Sequence, residues 1–313
     1  TVSRVLNNFP NVDSATRDKV LALVRQSKFK PSQVRKRPKH VAFICNESQK
    51  IDQYTSEILN GISSYCRRMN LDLSIICMDK HLPDEKVILE RRCDGIISSL
   101  IYDKSFFKRL IDIGIPSVTV SDSIDMEETG SVTCDNYSGM KKLMEFIVSK
   151  GHRKTAFVLS QMEASAHKER LQAYHDVLDA AGISKDDRLL IPHSNFPEEL
   201  DAGRSAASEF LKLKFPATAI VCMNDALAYG LISSLRNAGC KIPEELSVSG
   251  FDDYPISSCF YPPLTTVYQP LQEMGQQAAE LIFTAIQQES TVNVNIRMQS
   301  KLVIRDSIRN PSL

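Results

Sequence analysis

The chain has 313 residues, 42% hydrophobic and 24% charged, with 38 basic and 38 acidic side chains, eight cysteines and no tryptophan. At roughly 100 to 200 residues per domain, this length predicts two domains or two lobes, and a composition so near the globular average excludes collagen, coiled coil and disorder. No apolar run approaches the ~18 residues of a membrane helix and no signal-like apolar segment opens the sequence, so the chain reads as soluble and cytoplasmic.

The zero net charge hides an asymmetry. Residues 1–40 carry ten Lys/Arg against two acids, a local charge of +8, which leaves −8 on the rest. A basic head on an acidic body points to nucleic acid or an anionic surface as the head's partner. In the head, residues 2–8 read as a short helical segment and Phe9-Pro10-Asn11 as a break. Asp13 is a candidate N-cap for a helix over residues 14–28, with Val20, Leu21, Leu23 and Val24 on its apolar side. Two such helices bury too little for a core, which implies a further helix upstream.

From residue 41 the pattern changes to short apolar runs alternating with amphipathic stretches. Residues 41–45 predict a buried strand, and residues 54–69 a helix with Ile58, Ile62 and Tyr65 at helical spacing. Strands follow over 71–77, 96–98, 117–120, 155–159, 215–223 and 246–251. Helices lie between them over 86–92, 106–113, 139–150, 169–181 and 226–238, with Gly114, Gly151, Gly182 and Gly239 as stops. This alternation predicts βαβ crossovers and parallel, doubly wound sheets. More than one sheet's worth of strands predicts two lobes, with a ligand cleft where loops at strand C-terminal ends converge. The cysteines (Cys45, Cys66, Cys77, Cys93, Cys134, Cys222, Cys240, Cys259) stand at least eleven residues apart, which excludes a CxxC pair and predicts free, buried thiols.

Thr1-Val2-Ser3-Arg4-Val5-Leu6-Asn7 resembles the DNA-reading helix of the helix-turn-helix in LacI-type bacterial transcription repressors, and residues 12–20 resemble that family's third helix. The similarity continues through Arg92-Cys93-Asp94-Gly95, Cys134-Asp135-Asn136-Tyr137, Lys150-Gly151-His152-Arg153, Glu169-Arg170-Leu171, Asn224-Asp225-Ala226, Ser249-Gly250-Phe251-Asp252 and Pro262-Pro263-Leu264-Thr265-Thr266, in order over nearly the whole chain. It implies an α/β, two-lobed periplasmic-binding-protein-like body preceded by a partial all-α head. The expected boundaries are a head over 1–31, a basic linker over 32–40, and an effector-binding and dimerisation body over 41–313. The N-lobe would take about 41–137 and 268–295, the C-lobe about 138–267 and 296–313.

The resemblance implies that Arg4 reads a base, with Thr1, Ser3 and Asn7 as phosphate or base contacts; a guanidinium suits guanine O6 and N7 as a bidentate pair. The family's linker usually carries a hinge helix with a minor-groove leucine. Here Val34 is the only aliphatic residue and Pro38 turns Arg37 away from helical angles, so Arg35 and Arg37 are expected on a basic strand along phosphates or in a narrow minor groove. For the effector the resemblance singles out Tyr54, Asp122, Asp135, Arg170, Phe196, Asn224, Asp225, Asp252 and Gln269. Arginine, carboxylates, amides and aromatics suit a small hydroxylated ligand, a sugar before a nucleobase. Ala164 and Ala166 stand where nucleobase-binding relatives use larger polar side chains, and residues 196–203 read as a loop about two residues longer than usual. Surface pairing for Arg170 and helix capping for Asn224, Asp225 and Asp252 are the competing structural roles.

No GxSxG, P-loop or HExxH motif occurs and the six histidines show no metal spacing, so neither an enzyme nor a cofactor is expected. The expected partners are a pseudo-palindromic double-stranded operator, a sugar effector and a second copy of the chain, with no membrane. Two rivals stay open: a sugar receptor without DNA activity, and a hydrolase or isomerase on an α/β scaffold.

Overall fold

A computed structural model describes residues 39–46, 52–78, 85–99, 101, 103–159, 164–186, 189–192, 198–213 and 217–311, with the isolated helical positions Thr16 and Lys19. The head contacts Thr1, Ser3, Arg4, Asn7, Arg35 and Arg37, and Phe196 in the body, lie outside the described residues.

The first lobe runs β1 (His40–Asn46), α1 (Gln53–Arg68), β2 (Asp72–Met78), α2 (Glu85–Glu90), β3 (Gly95–Ser99), α3 (Lys104–Asp112), β4 (Ser117–Val120) and β5 (Thr129–Cys134). The second runs α4 (Asn136–Ser149), β6 (Thr155–Val158), α5 (Ser165–Ala180), β7 (Leu190–Ile191), α6 (Glu199–Lys212), β8 (Ala219–Cys222), α7 (Asp225–Asn237) and β9 (Ser247–Ser249). The chain then crosses back through β10 (Thr266–Tyr268), α8 (Leu271–Gln288), β11 (Asn295–Met298) and β12 (Lys301–Val303).

Two parallel sheets result, ordered β11-β5-β4-β3-β1-β2 and β7-β6-β8-β9, with β10 and β12 paired antiparallel between them. Because crossover helices cover both faces, the inner strands β3, β4, β6 and β8 are buried at every position, as parallel strands must be. Along β1 the side chains alternate: Val41, Phe43 and Cys45 join the core with α1 and α8, while Ala42 and Ile44 join Phe106, Phe107 and Leu110 on the opposite face.

The expected helix stops hold, with Gly114, Gly151, Gly182 and Gly239 all at positive φ. Asp52, Asp103, Asp135 and Asn224 cap α1, α3, α4 and α7 by accepting from backbone N–H groups at 2.8, 2.8, 3.1 and 2.8 Å. Each such cap is worth about 1 kcal/mol.

Three expectations are corrected. The stretch 196–203 is not a loop throughout, because α6 starts at Glu199. Gly203 is a helix residue there: a Cβ on it would meet the Leu227 carbonyl oxygen of α7 at 2.1 Å, so glycine permits the close crossing of α6 and α7. The first lobe extends past residue 295, since β11 pairs with β5 through Met298. Cys77 and Cys259 are exposed, not buried.

Candidate functional site

The loops after β4 and β9 and the start of α5 meet between the lobes. Arg170 lies in the second turn of α5, which begins at Ser165, four residues before the expected start. Only 3% of Arg170 is exposed, so it is no surface residue. Its Nε donates to Asn136 Oδ1 at 2.9 Å and its Nη1 to the Met223 carbonyl at 2.7 Å. The guanidinium stacks 3.7 Å from the centroid of Phe251 and stands 3.9 Å from Asp252 Oδ1. Neither Glu169 nor Asp176 pairs with it: Glu169 takes Arg297, and Asp176 accepts from Tyr137 and Gln172.

Asp252 follows β9 and is buried, with Oδ1 accepting from Gln269 Nε2 at 2.6 Å. Burial pushes its carboxyl up to about 7; Arg170 pulls the other way and the Asp225 carboxylate adds to the rise. Its φ of 127° is one that non-glycine residues seldom adopt, held by its N–H donating to the Val267 carbonyl at 2.8 Å. Across the cleft, Ser121 at the end of β4 is likewise buried with a φ of 84°. Such backbone costs about 1–3 kcal/mol and clusters at ligand sites.

The first lobe contributes Tyr54, whose acidity is suppressed by burial and partly restored by Ser121, with Asp252 and Arg170 within electrostatic reach. Asp122 crosses the cleft: its carboxylate accepts from the Ser165 backbone N–H at 3.0 Å and from the Ser165 hydroxyl. Those two bonds sit at the N-terminus of α5, where the helix dipole favours a carboxylate. Tyr54, Asp122, Arg170, Asp252 and Gln269 are therefore brought together.

The other three have different surroundings. Asn224 caps α7 and remains partly exposed. Asp225 is wholly buried, accepting from Thr266 Oγ1 at 2.5 Å, Ser257 Oγ at 2.6 Å and the Tyr254 N–H at 3.2 Å, so its oxygens are engaged in tying α7 to the crossover. Burial raises its carboxyl to about 6, against those hydrogen bonds. Asp135 caps α4 and accepts from Arg297 at 2.9 Å; its neighbour Asn136, not Asp135, faces Arg170. Burial opposes ionisation of Asp135, but Ser138 and Arg297 outweigh it and hold the carboxyl below its ordinary range.

Sequence reasoning missed Asn136, Ser121, Ser165, Phe251 and Arg297. Position at a strand end or helix start was the available signal for all but Arg297. That residue joins β11 to the start of α4 and to Glu169 on α5, yet its side chain is 51% exposed. Solvent weakens such a pair, so Arg297→Ala is expected to cost less than about 1 kcal/mol. The urea midpoint with an unchanged m-value checks this; a loss of several kcal/mol would contradict it.

Two parallel α/β lobes closing on buried arginine, carboxylate and amide side chains define a ligand-binding body of the periplasmic-binding-protein type. The periplasmic binding protein-like domain family matches residues 144–308, and the bacterial regulatory proteins of the lacI family match residues 1–32. The chain belongs to the LacI family of bacterial regulators with a periplasmic binding protein-like domain, and is a DNA-binding transcriptional regulator.

It is similar to the HTH-type transcriptional repressor PurR of Vibrio atlanticus (strain LGP32), 28% identical over 324 residues that cover 99% of this chain and 94% of that one. A transcriptional regulator CelR–cellobiose complex matches with a TM-score of 0.77 and 25% identity, covering 98% of this chain and 95% of that chain. A LacI family transcriptional regulator from Enterococcus faecium with bound ribose has the same fold, with a TM-score of 0.79 and 23% identity over 88% of this chain and all of that one. These relatives are transcriptional regulators. No helix among the described residues is long and apolar enough to cross a membrane.

Proposed function

We propose that the chain is a repressor whose operator affinity is set by a small hydroxylated effector, a sugar or sugar derivative, bound between the lobes of a homodimer. The observation that carries this reading is the buried group Arg170, Asp252 and Gln269, facing Tyr54 from the other lobe. A fixed guanidinium fork donates to sugar oxygens, while a carboxylate accepts two hydroxyl protons at once. CelR, the relative seen with cellobiose, supports the same ligand class. The small Ala164 at the start of α5 offers no side-chain bond to a nucleobase.

Residues 1–31 would read DNA, 32–40 follow its backbone, and 41–313 bind effector and pair the subunits in the cytoplasm. The chain acts by binding, not turnover. An effector that prefers one lobe arrangement shifts the spacing of the two heads across adjacent major grooves; one indifferent to lobe geometry shifts nothing. A thermal-shift panel of sugars, with nucleobases alongside, tests the ligand class: a ligand of the folded state raises the midpoint. A shift with a nucleobase and none with sugars would overturn it.

For the head, Arg4→Ala is expected to cost about 1–3 kcal/mol at one base pair per half-site. Fluorescence anisotropy with operators mutated at single positions checks it. Equal weakening on random DNA would remove Arg4 from base reading.

A further inference from the structure

We propose that Cys45 and Cys77 form a peroxide-responsive dithiol that closes to an intrachain disulfide at the edge of the first sheet. The two cysteines are direct partners in the parallel register of β1 and β2, on the same face, with Sγ atoms 3.9 Å apart. Neighbouring strands run about 4.8 Å apart, inside the roughly 4.4–6.8 Å Cα separation that a disulfide spans. Rotation of the two thiols about their Cα–Cβ bonds can then bring the sulfurs to bonding distance with little backbone movement.

Their environments divide the labour. β2 is the outermost strand of its sheet and Cys77 is exposed, open to a small oxidant. Cys45 lies behind it, buried, its proton held by burial first and by the neighbouring Cys77 second, up to about 12. Cys77 therefore reacts first: its sulfur takes one oxygen from a peroxide, the O–O bond breaks, and an alcohol or water leaves. The product is a neutral sulfenic acid, which removes the neighbouring thiolate charge that opposes ionisation of Cys45. Cys45 Sγ next attacks the Cys77 sulfur; the S–S bond forms, the S–O bond breaks, and hydroxide leaves with the Cys45 proton as water. Two electrons pass in all from the two thiols to the peroxide.

Among the described residues no group of three His, Cys, Asp or Glu side chains could hold an ion, so none of them completes a soft-metal clamp with the two thiols. Cys45 also lies within electrostatic reach of Asp52, the N-cap of α1, so the bridge would form behind the helix start that carries Tyr54 into the cleft.

The test treats the reduced full chain with a small excess of hydrogen peroxide, alkylates it under denaturing conditions and maps peptides by mass. The expected product links the Cys45 and Cys77 peptides with loss of two hydrogens and reopens with dithiothreitol. Cys77→Ser should abolish the link, and Cys45→Ser should leave Cys77 to gain oxygen atoms. Cys259, exposed, reports ordinary thiol reactivity in the same sample. If Cys77 of the unmodified chain gains oxygen while Cys45 still takes the alkylating reagent, or if both remain alkylatable while Cys259 is oxidised, the proposal is overturned.

Discussion

Arg170→Ala is expected to abolish the effector response while the empty protein still binds operator. The guanidinium does three things that alanine cannot: it bonds Asn136, it bonds the carbonyl that follows β8, and it stands over Phe251 beside Asp252. Its loss strands a buried carboxylate, and breaking a buried pair in this way costs about 3–5 kcal/mol, less the relief gained when Asp252 takes up a proton. A cooperative urea transition in the variant checks that it remains folded after that loss. Arg170→Lys is the sharper probe, since it keeps the charge and loses the planar fork. It should recover much of the stability and little of the response. Operator affinity measured by anisotropy with and without the sugar found in the thermal panel separates these outcomes. A response equal to that of the unmodified protein would take Arg170 out of the effector site.

The readability of this chain follows from where its structure is repetitive. βαβ units with glycine stops announce themselves locally, and every helix stop expected at a glycine occurs. The crossover does not. β10, β11 and β12 span three to four residues each and draw their identity from partners more than 30 residues away, which no local period encodes. α8 is patterned well enough, with Leu271, Met274, Ala278, Ile282 and Ala285 buried, but Gly275 interrupts it for a reason visible only in three dimensions. A Cβ there would meet the Ile58 carbonyl oxygen of α1 at 2.1 Å, as one at Gly203 would meet α7.

Within the site, it is the family resemblance that singles out Arg170 and Asp252; residue type and position in a helix or after a strand only agree with it. What sequence could not give is which of two adjacent residues turns inward. Asp135 turns to Arg297 and Asn136 to Arg170, and Asp225 and Asn224 both serve α7. Capping geometry, which fixes the direction of the first helical turn, decides such cases, and it depends on the backbone on both sides.

Asp252→Asn is expected to change the pH dependence of both stability and effector binding, in opposite directions. Folded Asp252 keeps its proton up to about pH 7, whereas an unfolded aspartate loses it near about 3.9. Between those values the folded chain holds the extra proton, so this group's contribution to stability is full at acid pH, falls as pH rises through the window, and is flat above it. The slope for one such group is at most about 1.4 kcal/mol per pH unit, and Asp225, raised to about 6, shares the lower part of the window. Asparagine removes the Asp252 part, so the variant should gain on the unmodified protein between pH 5 and pH 8 by on the order of 2 kcal/mol. Effector binding runs the other way, because only the ionised carboxylate accepts two hydroxyl protons. Affinity of the unmodified protein should rise toward a plateau above about pH 7, and fall about tenfold per unit well below it. Asparagine, which offers one acceptor oxygen, should bind weakly and without that pH profile. Calorimetric titration of the sugar at pH 6 and pH 8 on both proteins reads the second effect, and urea unfolding reads the first. Parallel pH profiles for the two proteins in both measurements would mean that the buried carboxyl neither carries the proton nor touches the ligand.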